Sequence, residues 1–312
     1  MILTLGKRRN LQQISNKRRV FTILAVDHRD PLIDMLTARD GNRPTPQMVC
    51  DEKLRLVRAL AEHASAVLLD PIYSVEPAIT DGVLPGSVGL LVAREKSGYT
   101  TRADAISRTT ELLPDWTAAT IKRIGGNAVK MLLYYHPDAP NAATQEAVVR
   151  QVASECREAD IPFLLEPICY PLQPGQKKTD PDFVAQRPAL VLEAARRLVP
   201  LGVDVLKAEF PTDAAETDTG KMAAYCQQLT ESINVPWVLL SAGVDFHTFQ
   251  RQLEIACDAG ASGFTIGRSI WQEAVSLRES AERDHFLYSV AISRLRILAD
   301  IATYRATSWT AR

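Results

Sequence analysis

Short aliphatic and β-branched runs recur along the chain, separated by longer stretches with helical spacing. The apolar runs cover residues 20–26 (VFTILAV), 66–69 (AVLL), 88–93 (VGLLVA), 128–135 (AVKMLLYY), 161–165 (IPFLL), 203–210 (VDVLKAEF), 237–240 (WVLL) and 263–266 (GFTI). Their length and residue content predict about eight strands. Between them, residues 47–64 set Leu54, Val57, Leu60 and Ala61 at three- and four-residue spacing, an apolar stripe on one helix face. Residues 114–124 open on Pro114 and are followed by Gly125 and Gly126, a helix start and stop. Residues 142–159, 182–199, 219–231 and 246–259 read likewise, and residues 271–306 hold one long helix or several.

Strands separated by helices pair in parallel through right-handed crossovers. Near-continuous apolar strands are buried on both faces. About eight such units predict an α/β fold of the (β/α)8 TIM-barrel type. A doubly wound open sheet is the runner-up, disfavoured because no GxGxxG follows the first strand. Nothing splits the chain, so residues 1–312 read as a single domain, with a barrel core over about 20–271 and a C-terminal helical extension over about 272–312. The Pro-rich, charged stretch 171–182 follows strand five and reads as a long βα loop.

Composition narrows the function more than the fold. Lys and Arg number 36 against 37 Asp and Glu, a net charge of -1. There is no basic excess to drive nonspecific nucleic-acid binding. At 46% hydrophobic and 23% charged, the chain is too apolar and too balanced for disorder. No run of about 18 apolar residues is present, so no transmembrane helix is expected. The first ten residues lack the apolar core of a signal peptide, which predicts a cytoplasmic protein. Cys50, Cys156, Cys169, Cys226 and Cys257 contain no CxxC pair and read as free thiols in a reducing compartment, with Cys169 as a nucleophile the functional alternative.

A barrel carries its site at the C-terminal ends of its strands. The polar residues predicted there are Asp27, His28 and Arg29 (strand one), Asp70 (two), Glu95 (three), Glu166 (five), Ser241 and Gly243 (seven), and Gly267 and Arg268 (eight). Two lysines, Lys130 and Lys207, lie inside strands four and six. Alternation in strand six puts Val203, Val205, Lys207 and Glu209 on one face. A lysine inside an apolar strand is costly, and desolvation that frees its amine makes it a Schiff-base candidate. The competing reading is a buried lysine neutralised by Glu209 or another acid. Strands four and six are both even-numbered and can place both amines in one layer, where a second cation lowers the first amine's pKa. Glu166, on the strand between, is either a general acid/base or an ion-pair partner. Asp27 and Asp70 are either strand-end caps or substrate contacts. The small-residue turns at Ser241–Gly243 and Gly267, with Arg268, form a candidate phosphate site, the alternative being an Arg paired with a neighbouring acid. His28, His63, His136, His247 and His285 form no HxxxH or HxH cluster, so no metal site and no cofactor are expected. His63 and His285 read as surface residues, whereas His28 and His136 follow strands and can reach the pocket.

These residues sit in motifs that resemble the class I tagatose-1,6-bisphosphate aldolases and the related sulfofructosephosphate aldolases. The segments are LAVDHR (24–29), AVLLDP (66–71), EKSGY (95–99), AVKMLLYY (128–135), ECREADIPFLLEP (155–167), GVDVLKAEFP (202–211), LLSAGVD (239–245) and GFTIGRSIW (263–271). The resemblance runs from about Val20 to about Trp271. It implies a metal-independent carbon–carbon lyase in which Lys207 matches the Schiff-base lysine, Lys130 the second lysine and Glu166 the acid/base. Asp27 and Glu95 match further active-site acids, Arg29 belongs to the first-strand motif, and Ser241, Gly267 and Arg268 match the phosphate-holding region.

The implied reaction cleaves D-tagatose 1,6-bisphosphate to dihydroxyacetone phosphate and glyceraldehyde 3-phosphate. Two alternatives stand beside it: the same chemistry on a sulfonated sugar phosphate, and a regulator that binds sugar phosphates without turning them over. The implied partner is a phosphorylated sugar, with no nucleic acid and no membrane, and a homo-oligomer is compatible with the sequence. The chain departs from the family at His28, where Gln is usual, in the loop 171–182, and beyond Trp271. The first two departures border the pocket.

Overall fold

The computed structural model describes residues 3–101 and 106–312. Among these, eight parallel strands close into a barrel: β1 (Phe21–Ala25), β2 (Ala66–Leu69), β3 (Gly89–Ala93), β4 (Ala128–Tyr135), β5 (Phe163–Cys169), β6 (Val205–Ala208), β7 (Trp237–Leu240) and β8 (Gly263–Ile266). They follow chain order around the barrel, and β1 pairs with β8 to close it, Phe21 opposite Gly263. The helices are α1 (Leu5–Gln13), α2 (Asp30–Asp40), α3 (Pro46–Leu60), α4 (Val75–Thr80), α5 (Ala118–Arg123), α6 (Ala142–Glu158), α7 (Pro181–Leu198), α8 (Thr219–Ser232), α9 (Phe246–Asp258), α10 (Arg268–Ser276), α11 (Ser280–Phe286) and α12 (Ile292–Arg305). No helix among the described residues is long and apolar enough to cross a membrane.

Period-two alternation divides the core in two. Inward residues at the lower barrel, including Phe21, Ile23, Ala66, Leu68, Ala128, Leu164 and Val205, pack with Leu11 and Ile14 at the α1 end and with Trp309. The N- and C-terminal segments thus stopper the bottom of the barrel together, and the Trp309 indole donates to Ser15 Oγ at 3.0 Å. Outward residues such as Val129, Met131, Leu165 and Leu206 form a second cluster with the helices. The inward row of β4 therefore runs Ala128, Lys130, Leu132, Tyr134, apolar at the bottom and polar above.

The boundaries moved where a specific group overrides the pattern. The helix expected from Pro114 starts at Ala118, because the Thr117 hydroxyl accepts from Thr120 N and caps it there. Strand five begins at Phe163 and continues to Cys169, so Glu166 lies inside it rather than after it. The stretch expected at 271–306 breaks into α10, α11 and α12, with a π turn at Leu287–Ala291 before α12. Helices α1, α2 and α4 and a hairpin pairing Thr100–Thr101 with Arg108–Thr109 have no counterpart in the predicted pattern.

Asp70 is not the substrate contact that its strand-end position allowed. It is completely buried beside Lys53, whose Nζ lies 2.6 Å from Asp70 Oδ2 and donates to Val26 O at 2.6 Å. The other oxygen of Asp70 accepts from the backbone N–H of Ile72 and Tyr73. This is a turn cap tied to a helix ammonium, and it pins the end of β1 to the end of β2. Lys53 interrupts the apolar face of α3 that carries Val49, Leu56 and Leu60.

Removing one member of such a buried pair strands the other charge. Lys53→Met is expected to cost about 3–5 kcal/mol in urea unfolding. The double change Lys53→Met with Asp70→Leu is expected to be less damaging than the single one. A double variant at least as unstable as the single would refute the pairing.

Candidate active site

The alternation that builds the core also delivers the charges. Lys130 follows Ala128 on the inward face of β4, Glu166 follows Leu164 on β5, and Lys207 follows Val205 on β6. The register sets Lys130 beside Leu164, and Leu164 beside Val205. Glu166 consequently stands between the lysines of its two neighbours. Its Oε2 lies 2.9 Å from Lys130 Nζ, and its Oε1 lies 2.9 Å from Lys207 Nζ.

Two further acids converge on Lys130 from the loops after β1 and β3. Its Nζ donates to Asp27 Oδ2 at 2.8 Å and to Glu95 Oε1 at 2.7 Å. Burial alone would lower the Lys130 pKa, but the carboxylates of Asp27, Glu166 and Glu95 outweigh it and hold the ammonium well above its ordinary value. Burial likewise pushes Asp27 and Glu166 up, and the two lysines more than reverse it, so both acids titrate below the usual carboxylate range. Lys130 was expected to lower the pKa of the Lys207 amine as a second cation in the same layer. Three carboxylates surround it and oppose that field.

Arg29 is buried behind this cluster. It donates to Glu95 O at 2.7 Å, and its Nη2 lies 3.9 Å from Glu95 Oε1. His28 packs edge-on against Trp271, ring centroids 5.2 Å apart, with Nδ1 3.7 Å from Asp27 Oδ1. Burial, reinforced by Arg268, Lys207 and Lys53 and opposed by Asp27, pulls its pKa down to about 3.

Lys207 and Glu166 face a cavity of about 400 Å³ and also border a smaller pocket of about 110 Å³ lined by Asp27, Arg29, Glu95 and Lys130. The larger cavity includes Ser241, Gly267 and Arg268. Gly243 lies beneath Arg268 with φ +80°, where a Cβ would meet the guanidinium carbon at 2.9 Å. Arg268 Nε is buried without a hydrogen-bond partner among the described residues. No ion pair joins Arg268 to a carboxylate among those residues, in contrast to Arg29.

Glu209 does not neutralise Lys207. Its Oε2 accepts from Cys169 N at 2.8 Å and its Oε1 lies 3.1 Å from Lys178 Nζ. Cys169 is buried, and burial beside Glu209 pushes its thiol up, the reverse of an activated nucleophile. His136 is buried, accepts from Asp138 N at 3.1 Å and borders neither pocket. His285 is exposed, but His63 is half-buried. Sequence reasoning passed over Tyr134, which borders both pockets and was readable from the alternation Lys130, Leu132, Tyr134. It also passed over Lys53, whose signal was a lysine on an apolar helix stripe.

A lysine and a carboxylate 2.9 Å apart at a barrel mouth, beside an uncommitted Arg, suit amine chemistry on an anionic carbonyl compound. The chain is similar to known aldolases in sequence and in fold. The chain is 32% identical over its full length, and that of the relative, to tagatose 1,6-diphosphate aldolase 2 of Streptococcus agalactiae serotype III. It is 31% identical to tagatose 1,6-diphosphate aldolase of Lactococcus lactis subsp. lactis, covering 99% of both chains. In fold it is similar to fructose-bisphosphate aldolase from Plasmodium falciparum, with TM-score 0.75 at 12% identity over 98% of each chain. An archaeal fructose 1,6-bisphosphate aldolase gives TM-score 0.62 at 19% identity, covering 95% of this chain and 98% of that one. The profile of the DeoC/LacD family aldolases matches residues 21–273, and the chain therefore belongs to the DeoC/LacD aldolase family.

Proposed function

We propose that the protein is a Schiff-base aldolase that cleaves D-tagatose 1,6-bisphosphate to dihydroxyacetone phosphate and glyceraldehyde 3-phosphate. The observation that carries this reading is Glu166 held at 2.9 Å from both Lys130 and Lys207 inside the barrel. The substrate follows from the curated relatives, which are named for that sugar and match this chain end to end.

In this reading Lys207 passes its proton to Glu166 and attacks the C2 carbonyl. Loss of water gives an iminium. Glu166, again a carboxylate, takes the C4 hydroxyl proton, the C3–C4 bond breaks, and the electron pair moves into the iminium as an enamine. The aldehyde leaves, C3 is protonated, and hydrolysis returns Lys207 and dihydroxyacetone phosphate. Lys130 holds Asp27, Glu95 and Glu166 in place through its three contacts. Ser241, Gly243, Gly267 and Arg268 receive the C1 phosphate. A binding-only regulator has no use for the ionised lysine–glutamate pair at the cavity wall, so the catalytic reading is preferred.

Borohydride reduction in the presence of dihydroxyacetone phosphate is expected to place a mass adduct on the peptide containing Lys207, and Lys207→Met to abolish it. An adduct elsewhere, or none, would sink the Schiff-base assignment. Glu166→Gln should lower kcat by about 10²–10⁴. EDTA should leave the rate unchanged, and a loss restored by added metal would revive a metal-dependent mechanism.

His28 supplies a pH test. An unfolded histidine gains its proton below about 6.5, whereas the folded ring does so only near 3. The unfolded state therefore binds more protons in that window, and the stability present above pH 6.5 is lost as pH falls toward 3. From pH 7 to 5 the loss should be about 1–2 kcal/mol, smaller in His28→Gln. The ring's NMR signals should not titrate between pH 5 and 8, and a midpoint near 6.5 would refute the buried neutral state.

A further inference from the structure

We propose that Lys178, Arg187 and Thr212 form the subsite for the anion at the far end of the substrate, remote from the carbonyl. The inference rests on the aldolase reading above and extends it to residues outside the segments that carry the resemblance. Lys178 lies in the loop that runs from the end of β5 to α7. It stands with Arg187 of α7 and Thr212, beyond β6, on the wall of the same cavity that holds Lys207 and Arg268.

The order of strands gives the substrate a direction. Around the mouth run β8, which leads to Arg268, then β7, β6 with Lys207, and β5 with Glu166. A ketose joined through C2 to Lys207 with its C1 anion at Arg268 must send C3 and C4 towards Glu166, the C4 base. Continued in the same sense, its far end reaches the loop after β5. That loop carries Lys178.

The chemistry there fits a tetrahedral oxyanion. Arg187 Nε and Thr212 Oγ1 are buried with no hydrogen-bond partner among the described residues, and Thr212 is only 3% exposed. Both are donors whose need an anion would meet. Glu209 Oε1 lies 3.1 Å from Lys178 Nζ and 3.6 Å from Arg187 Nη2. One carboxylate against two cations leaves the cluster positive. Asp213 also borders the cavity, its Oδ1 accepting from Ala215 N at 2.9 Å, and among the described residues no ion pair joins it to Lys178 or Arg187. The smaller pocket is the poorer host, because its Lys130 is already committed to carboxylates and its Lys96 lies 2.7 Å from Glu111 Oε2.

Three substrates test the subsite: a ketohexose 1,6-bisphosphate, the same 1-phosphate with a C6 sulfonate, and the 1-phosphate with a free C6 hydroxyl. The readout is the ratio of kcat/KM for each doubly anionic substrate to that for the 1-phosphate. Wild type should favour a doubly anionic substrate by about 100-fold, and whichever anion gives the larger ratio is the one the subsite is built for. Arg187→Met should cut that ratio by about 10-fold or more, and Lys178→Ala and Thr212→Val by about 3–10-fold. Lys178 is one-third exposed, so its variant keeps the test alive if Arg187→Met fails to fold. Ratios unchanged in all variants, or equal losses on all three substrates, would overturn the subsite. Borohydride trapping of dihydroxyacetone phosphate needs only the C1 end. Trapping intact with unchanged ratios defeats the subsite alone, whereas no trapping in wild type defeats the aldolase reading and the subsite with it.

Discussion

One carboxylate shared by two buried ammonium groups constrains everything around it. Glu166 is 6% exposed, Lys130 1% and Lys207 4%, and charges so enclosed survive only when each is paired in good geometry. That geometry requires β4, β5 and β6 to stay in register, since a slip of one residue would turn all three side chains outward into the apolar layer under the helices. It also requires the ends of β1 and β3 to be fixed, because Asp27 and Glu95 reach Lys130 from there. Lys53 meets part of this demand by holding Val26 O, one residue before Asp27. The apolar plug below, from Phe21 to Trp309, supplies the rigid floor on which a polar layer can stand.

Much of this was legible in the chain. The eight apolar runs mark the eight barrel strands, because a parallel strand buried on both faces leaves few polar positions to blur the pattern. Lys130 and Lys207 were conspicuous for the same reason. Strand ends were less legible: the apolar run 161–165 set the end of strand five before Glu166, but the strand runs through Glu166 and Pro167 to Cys169. Side-chain pairing between elements distant in sequence was illegible. Nothing near Asp70 reveals that a helix lysine will occupy it, and nothing near Glu209 reveals that it will turn to Lys178 and Cys169 instead of Lys207. The hairpin at 100–101 and 108–109 has strands of two residues, too short to carry a period.

The net charge of -1 says little about a site where charge is arranged so tightly. In the proposed reaction the pair Lys207–Glu166 begins as ammonium and carboxylate. Transfer of one proton makes it amine and acid, and iminium formation with loss of water restores a cation beside a carboxylate. Taking the C4 proton and releasing it to C3 leaves that balance unchanged. Each stage thus keeps the buried pair at the same total charge, which matters because an uncompensated charge there would cost several kcal/mol. Lys130 with Asp27 and Glu95 then acts as a fixed electrostatic frame, too strongly paired to exchange protons with the substrate. On this argument Lys130→Met should do more than remove a contact. It would leave three carboxylates facing one another, raise the pKa of Glu166, and shift the acid limb of the activity profile to higher pH.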